Sequence, residues 1–188
     1  MSAFGFRIPR AIRRRPSAWL LAAALAGALL ATAVYVINPF GTASRDYGAR
    51  LWGRTTLDMP SAAMEPTLAQ GYELVVDTSA LRSGPPLADD LLVYFGPDGP
   101  RVGRVVGLPG QEVALRLGEL FVDGELMPAP AGVEVDTGPG PGRDLPETRV
   151  PEGHVFVLVD NRDLGGDSRE SGPVPAGRWI GKVVAVRR

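Results

Sequence analysis

Apolar and polar positions divide the chain into two textures. From Ser17 to Ile37 no residue is charged, and the run is mostly Ala, Leu and Val. A helix that crosses the hydrocarbon layer needs about 20 apolar residues, so residues 17–38 read as a membrane-spanning anchor. Beyond Pro39 the chain breaks into short apolar runs punctuated by Gly and Pro. Tyr72–Thr78, Leu91–Phe95, Val102–Leu108, Val155–Val159 and Ile180–Val186 are rich in strand formers and bounded by turn residues. Val113–Leu117, Gly118 and Glu119–Val122 read as a hairpin, and Asp123-Gly124 supplies the next tight turn. Pro128 to Pro151 is dominated by proline and glycine and reads as a loop. No segment beyond the anchor sustains a 3.6-residue period, and there is no internal repeat. The predicted fold class is mainly β: an antiparallel, barrel-like domain carried on one N-terminal transmembrane helix. The expected divisions are a basic segment at 1–16, the anchor at 17–38, a polar connector at 39–54 and the β domain at 55–188.

Charge orients the anchor. Arg7, Arg10, Arg13, Arg14 and Arg15 precede it with no acidic residue among them. Basic flanks stay in the cytoplasm, which places the β domain outside a plasma (inner) membrane crossed once. Trp19 and Tyr35 lie near the two ends of the span, where amphipathic rings favour the interface. Two rival readings fit less well. A cleaved signal peptide has an apolar core of about 7–15 residues, and the A-x-A-like Ala31-Thr32-Ala33 falls inside this run rather than after it. A twin-arginine signal at Arg13-Arg14 or Arg14-Arg15 lacks the residues that should follow.

Composition narrows the chemistry further. Lys and Arg number 20 against 21 Asp and Glu, so no global charge calls for nucleic acid. With no cysteine and one histidine, disulfides are excluded, and neither a metal nor a cofactor is expected. Twenty-four glycines and eighteen prolines suit a turn-rich β domain.

Three ordered blocks carry the candidate chemistry. They are Met59-Pro60-Ser61-Ala62-Ala63-Met64-Glu65-Pro66-Thr67-Leu68, then Gly103-Arg104-Val105-Val106-Gly107-Leu108-Pro109-Gly110-Gln111, then Val159-Asp160-Asn161-Arg162-Asp163-Leu164-Gly165-Gly166-Asp167-Ser168-Arg169. Together they resemble signal peptidase I, a membrane-anchored serine protease family that removes signal peptides. Its blocks read P-S-x-S-M-x-P-T-L, K-R-V-V-G-x-P-G-D and G-D-N-R-x-x-S-x-D-S-R. The resemblance covers about Thr55 to Arg188.

In that family the serine before the methionine is the nucleophile, and a buried neutral lysine is its base. A second serine orients the lysine. Here Ala63 stands at the nucleophile position, Gly103 at the base and Gly165 at the orienting hydroxyl; Val159 replaces the glycine that opens the third block. Pro60, Met64, Pro66, Thr67, Arg104, Pro109, Gly110, Asp160, Asn161, Asp167, Ser168 and Arg169 match. The resemblance implies that Arg104, Asp167 and Arg169 form a structural ionic network behind the site. It also implies that Ala62, Ala63 and Met64 border a groove for extended peptides, with Met64 and Leu68 facing lipid. Joint loss of the proton-moving groups within intact surroundings points to a natural pseudopeptidase. Its expected partners are membrane lipid through residues 17–38, and signal-peptide-like segments or an active signal peptidase paralogue.

Two alternatives remain. Ser61, whose family counterpart serves the oxyanion hole, is a replacement nucleophile if a base lies within reach. Arg101 and Arg104 cannot be that base, because guanidinium keeps its proton. Lys182 reads as a surface strand lysine, and His154 as a structural residue at a strand start. Asp89-Asp90, Glu112 and Asp163 read as solvated loop charges, and Asp160 as a turn residue holding Asn161. The other alternative is a purely structural domain, its groove filled by Val159.

Overall fold

The structure, a computed structural model, describes residues 17–38, 47–135 and 138–188. The expected basic segment at 1–16 and residues 39–46 of the connector lie outside the described residues. Helix α1, Ala18–Ile37, follows the uncharged run and buries none of its side chains within the protein. It is long and apolar enough to cross a membrane.

The connector is not uniformly irregular. Tyr47–Trp52 forms a short helix, α2. The Arg50 guanidinium lies over the Tyr35 ring, 4.5 Å from its centroid, and donates to the Tyr35 carbonyl at 3.0 Å. On its other side, Thr78 donates its hydroxyl to the Ala49 carbonyl at 3.0 Å and its N–H to Gly53 at 2.9 Å. This short helix thus ties the apolar helix to the sheet. The short stretch carries no amphipathic period, so its helicity was not visible in the sequence.

Eleven strands follow among the described residues: β1 Arg54–Asp58, β2 Glu73–Asp77, β3 Leu91–Phe95, β4 Pro100–Gly107, β5 Glu112–Arg116, β6 Glu119–Val122, β7 Glu125–Leu126, β8 Leu145–Arg149, β9 His154–Leu158, β10 Val174–Pro175 and β11 Trp179–Arg187. One sheet has the order β1-β2-β11-β3-β4-β9-β10, and a second the order β7-β6-β5-β8. Every pairing is antiparallel. Both sheets have free edges, so the expected barrel is replaced by two open sheets.

The larger sheet is covered on both faces. Val93, Val102, Val159 and Ile180 pack with Met59, Met64, Leu68 and Val76 on one side. Leu92, Tyr94, Val105 and Val157 pack with Val155, Val174 and Trp179 on the other. Two-sided burial explains why β3 is an unbroken apolar run instead of an alternating one. A third cluster of Val113, Leu115, Val150, Phe156 and Leu158 joins the small sheet to β9.

The expected loop from Pro128 to Pro151 contains β8. Pro146 and its charged neighbours hid it, yet β8 is an edge strand, where a missing N–H costs no ladder bond. The Asp123-Gly124 turn has φ of 52° and 81°, the doubly positive backbone of a tight hairpin turn between β6 and β7.

Candidate functional site

The first block folds as a tight turn leaving β1. Ser61 is extended, and its hydroxyl oxygen accepts from the Ala63 N–H at 3.3 Å, starting one turn of 3-10 helix over Ala62–Met64. The turn is strapped to the third block, because the Asn161 N–H donates to the Ala63 carbonyl at 2.9 Å. Met64 (0% exposed) and Leu68 (2%) point into the core. Neither faces lipid, and Met64 does not border a groove; an unbranched apolar chain beside a small-residue turn fills the core beneath it.

Arg104 links all three blocks. Its Nε and Nη2 reach the two carboxylate oxygens of Asp160 at 2.9 and 2.7 Å, and Thr67 donates its hydroxyl to the same carboxylate. That bond to Asp160 holds the Arg104 guanidinium above its ordinary pKa, against the opposing effect of burial. Asp167 belongs to a separate pair. It caps the short helix α3, Ser168–Ser171, accepts from the Val159 N–H at 3.0 Å and meets Arg169 Nε at 2.9 Å. The expected single network of Arg104, Asp167 and Arg169 is therefore two pairs, each built on its own buried aspartate. Asp160 is more than a turn residue, being the inner partner of Arg104.

Arg162 contrasts with both. Its Nε donates to the Val159 carbonyl at 2.9 Å, but its buried Nη1 has no partner. Burial, reinforced by the Arg169 charge, pushes its pKa down.

The residues expected at the proton-moving positions lie as follows. Ala63, Ser61, Val159 and Gly165 line one cavity of about 410 Å³, together with Pro60, Val102 and the strand entry at 98–101. Gly103 does not line it. A Cβ at residue 103 would overlap Val157 Cγ1, so any side chain there meets a neighbouring valine. A Cβ at residue 165 would overlap the Glu170 carboxylate, the movable end of a flexible chain. Val159 is 3% exposed and forms part of the wall without closing it.

The chain's single lysine and single histidine are engaged elsewhere. Lys182 Nζ pairs with Asp90 at 2.7 Å, and His154 Nδ1 lies 3.0 Å from the Glu152 carbonyl. Lys182 is thus a partly buried, paired residue, and Asp90 is not merely solvated. Asp163 likewise pairs with Arg143 at 2.9 Å. Glu112 faces Arg149 at 3.8 Å. Among the described residues no cluster of His, Cys, Asp and Glu is arranged to hold a metal ion. Sequence reasoning missed Val157 and the cavity-lining side of Arg101. Both look like ordinary strand residues, and only the register sets them beside Gly103 and Gly166.

The model of the family described as "Signal peptidase, peptidase S26" matches residues 18–187. The chain is 38% identical over 136 residues to probable signal peptidase I-1 of Synechocystis sp., a match covering 67% of each chain. It is 33% identical over 132 residues to signal peptidase I V of Bacillus subtilis, covering 64% of this chain and 78% of that one. A solved signal peptidase I from Enterococcus faecalis aligns with a TM-score of 0.45 at 28% identity, over 53% of this chain and 97% of its own. With the family matched from the apolar helix to the final strand, the chain belongs to the peptidase S26 signal peptidases.

Proposed function

We propose that this protein is a catalytically inactive signal peptidase I homologue, anchored by α1 with its β domain outside the plasma membrane. Its groove holds extended, signal-peptide-like segments without cutting them. One observation carries the reading: the cavity beside Ala63 persists, while its wall offers no nucleophile–base pair. Ser61 supplies a hydroxyl, but the only lysine and the only histidine have other partners. An extended peptide needs main-chain hydrogen bonds and pockets for small side chains, and neither requires a nucleophile. The persisting cavity also weighs against a purely structural domain.

The reading is tested with full-length protein in detergent and a fluorescent signal-peptide-like segment containing small residues. Saturable binding, lost when Val159→Phe fills the cavity, is the expected result. Absence of binding would overturn it.

A further inference from the structure

The cavity beside Ala63 is rich in hydrogen-bond donors and poor in bases. Ser61 accepts from the Ala63 N–H and keeps its own O–H free to donate. The Ala63 N–H is held only loosely, at 3.3 Å. Arg101 lines the same wall, its side chain 30% exposed. The guanidinium uses Nη1 on the Gly166 carbonyl and Nη2 on Asp98 at 3.2 Å, so further N–H groups remain. Asp98 also lines the cavity, but its side chain is 88% exposed. A surface pair of that kind holds by about 1 kcal/mol at most, and a better-placed carboxylate can displace it. The other nearby acid, Glu170, sits beside Gly165 and does not line the cavity.

A scissile amide presents a neutral carbonyl, which an oxyanion site needs to stabilise only as charge develops. A cleaved peptide instead presents a full carboxylate. Ala63 presents no hydroxyl there to crowd that carboxylate. The guanidinium of Arg101 adds a fixed positive charge matched to it. The apolar part of the wall, from Pro60, Ala63, Val102 and Val159, leaves room for a small side chain at the last residue.

We infer that the site is tuned to the product of signal-peptide cleavage rather than to the intact substrate. Its ligand is a peptide ending in a small residue with a free C-terminal carboxylate, read by Arg101 and Ser61. This inference rests on the peptide-binding reading above and gives it a ligand class.

Three peptides of one sequence, ending in Ala-x-Ala, separate the two ideas: one with a free carboxylate, one with a C-terminal amide, and one extended past the junction. Titrated against the full-length protein, the free acid is expected to bind about tenfold or more tighter than the other two, as a charge-assisted hydrogen bond supplies. Arg101→Met should erase that preference, and Arg101→Lys should restore part of it. Equal affinity for all three peptides in the wild-type protein overturns the inference while leaving a peptide groove intact. If no peptide binds, both readings fall. The wild-type comparison stands even where an Arg101 variant fails to fold.

Discussion

The Val157 side chain occupies the space into which residue 103 would project. Val105 on β4 pairs with Val157 on β9, and Gly103 lies on the same face of β4, two residues earlier. The Val157 Cγ1 methyl then overlaps the position of a Cβ at 103. Packing therefore closes residue 103 to a side chain as long as Val157 keeps its place.

Gly103→Lys should consequently lower stability by about 1–3 kcal/mol through overpacking. Val157→Ala should relieve much of that loss, so the pair is strongly non-additive in a denaturation cycle. Additive effects would mean that the valine does not block the position.

Arg104 and Asp160 form a two-point pair, with side chains 12% and 2% exposed. Removing one partner strands the other charge beneath the Ser61–Met64 turn. Arg104→Met is expected to cost about 3–5 kcal/mol in chemical denaturation.

Arg162 should behave oppositely. It has no carboxylate partner among the described residues, and its buried Nη1 goes unsatisfied. Arg162→Met is expected to change stability by about 1 kcal/mol or less, in either direction. A loss as large as that of Arg104→Met would show a partner beyond those described.

Tyr94 should titrate late. Burial, aided by the charge of Asp167, raises its phenol from 10 to about 12, although Arg101 and Arg178 pull the other way. The fold favours the neutral phenol, so this contribution is complete below pH 10 and lost as pH rises towards 12. Ultraviolet titration of tyrosinate should show a component near pH 12 that disappears in Tyr94→Phe.

Particular residues show what the sequence discloses. The Leu91–Phe95 run coincides with β3 because both faces of that strand are buried, and an apolar run is the direct imprint of that burial. The Ala63 and Gly165 positions could be placed together from their motifs, and the cavity does join them. Aspartate partners were less legible. Asp160 and Asp167 are equally acidic in sequence, and only the register of β4 against β9 decides that Arg104 meets Asp160. Met64 was misplaced because a small-residue motif does not reveal which neighbouring side chain turns inward. The strand β8 was hidden because edge strands tolerate the proline and charges that mark loops elsewhere.

The central claim is most directly tested by incubating the full-length protein in detergent with a labelled preprotein and analysing the products by mass. The account predicts a preprotein that is bound and stays intact. A fragment cut at the signal junction, abolished by Ser61→Ala, would contradict it and make Ser61 a working nucleophile.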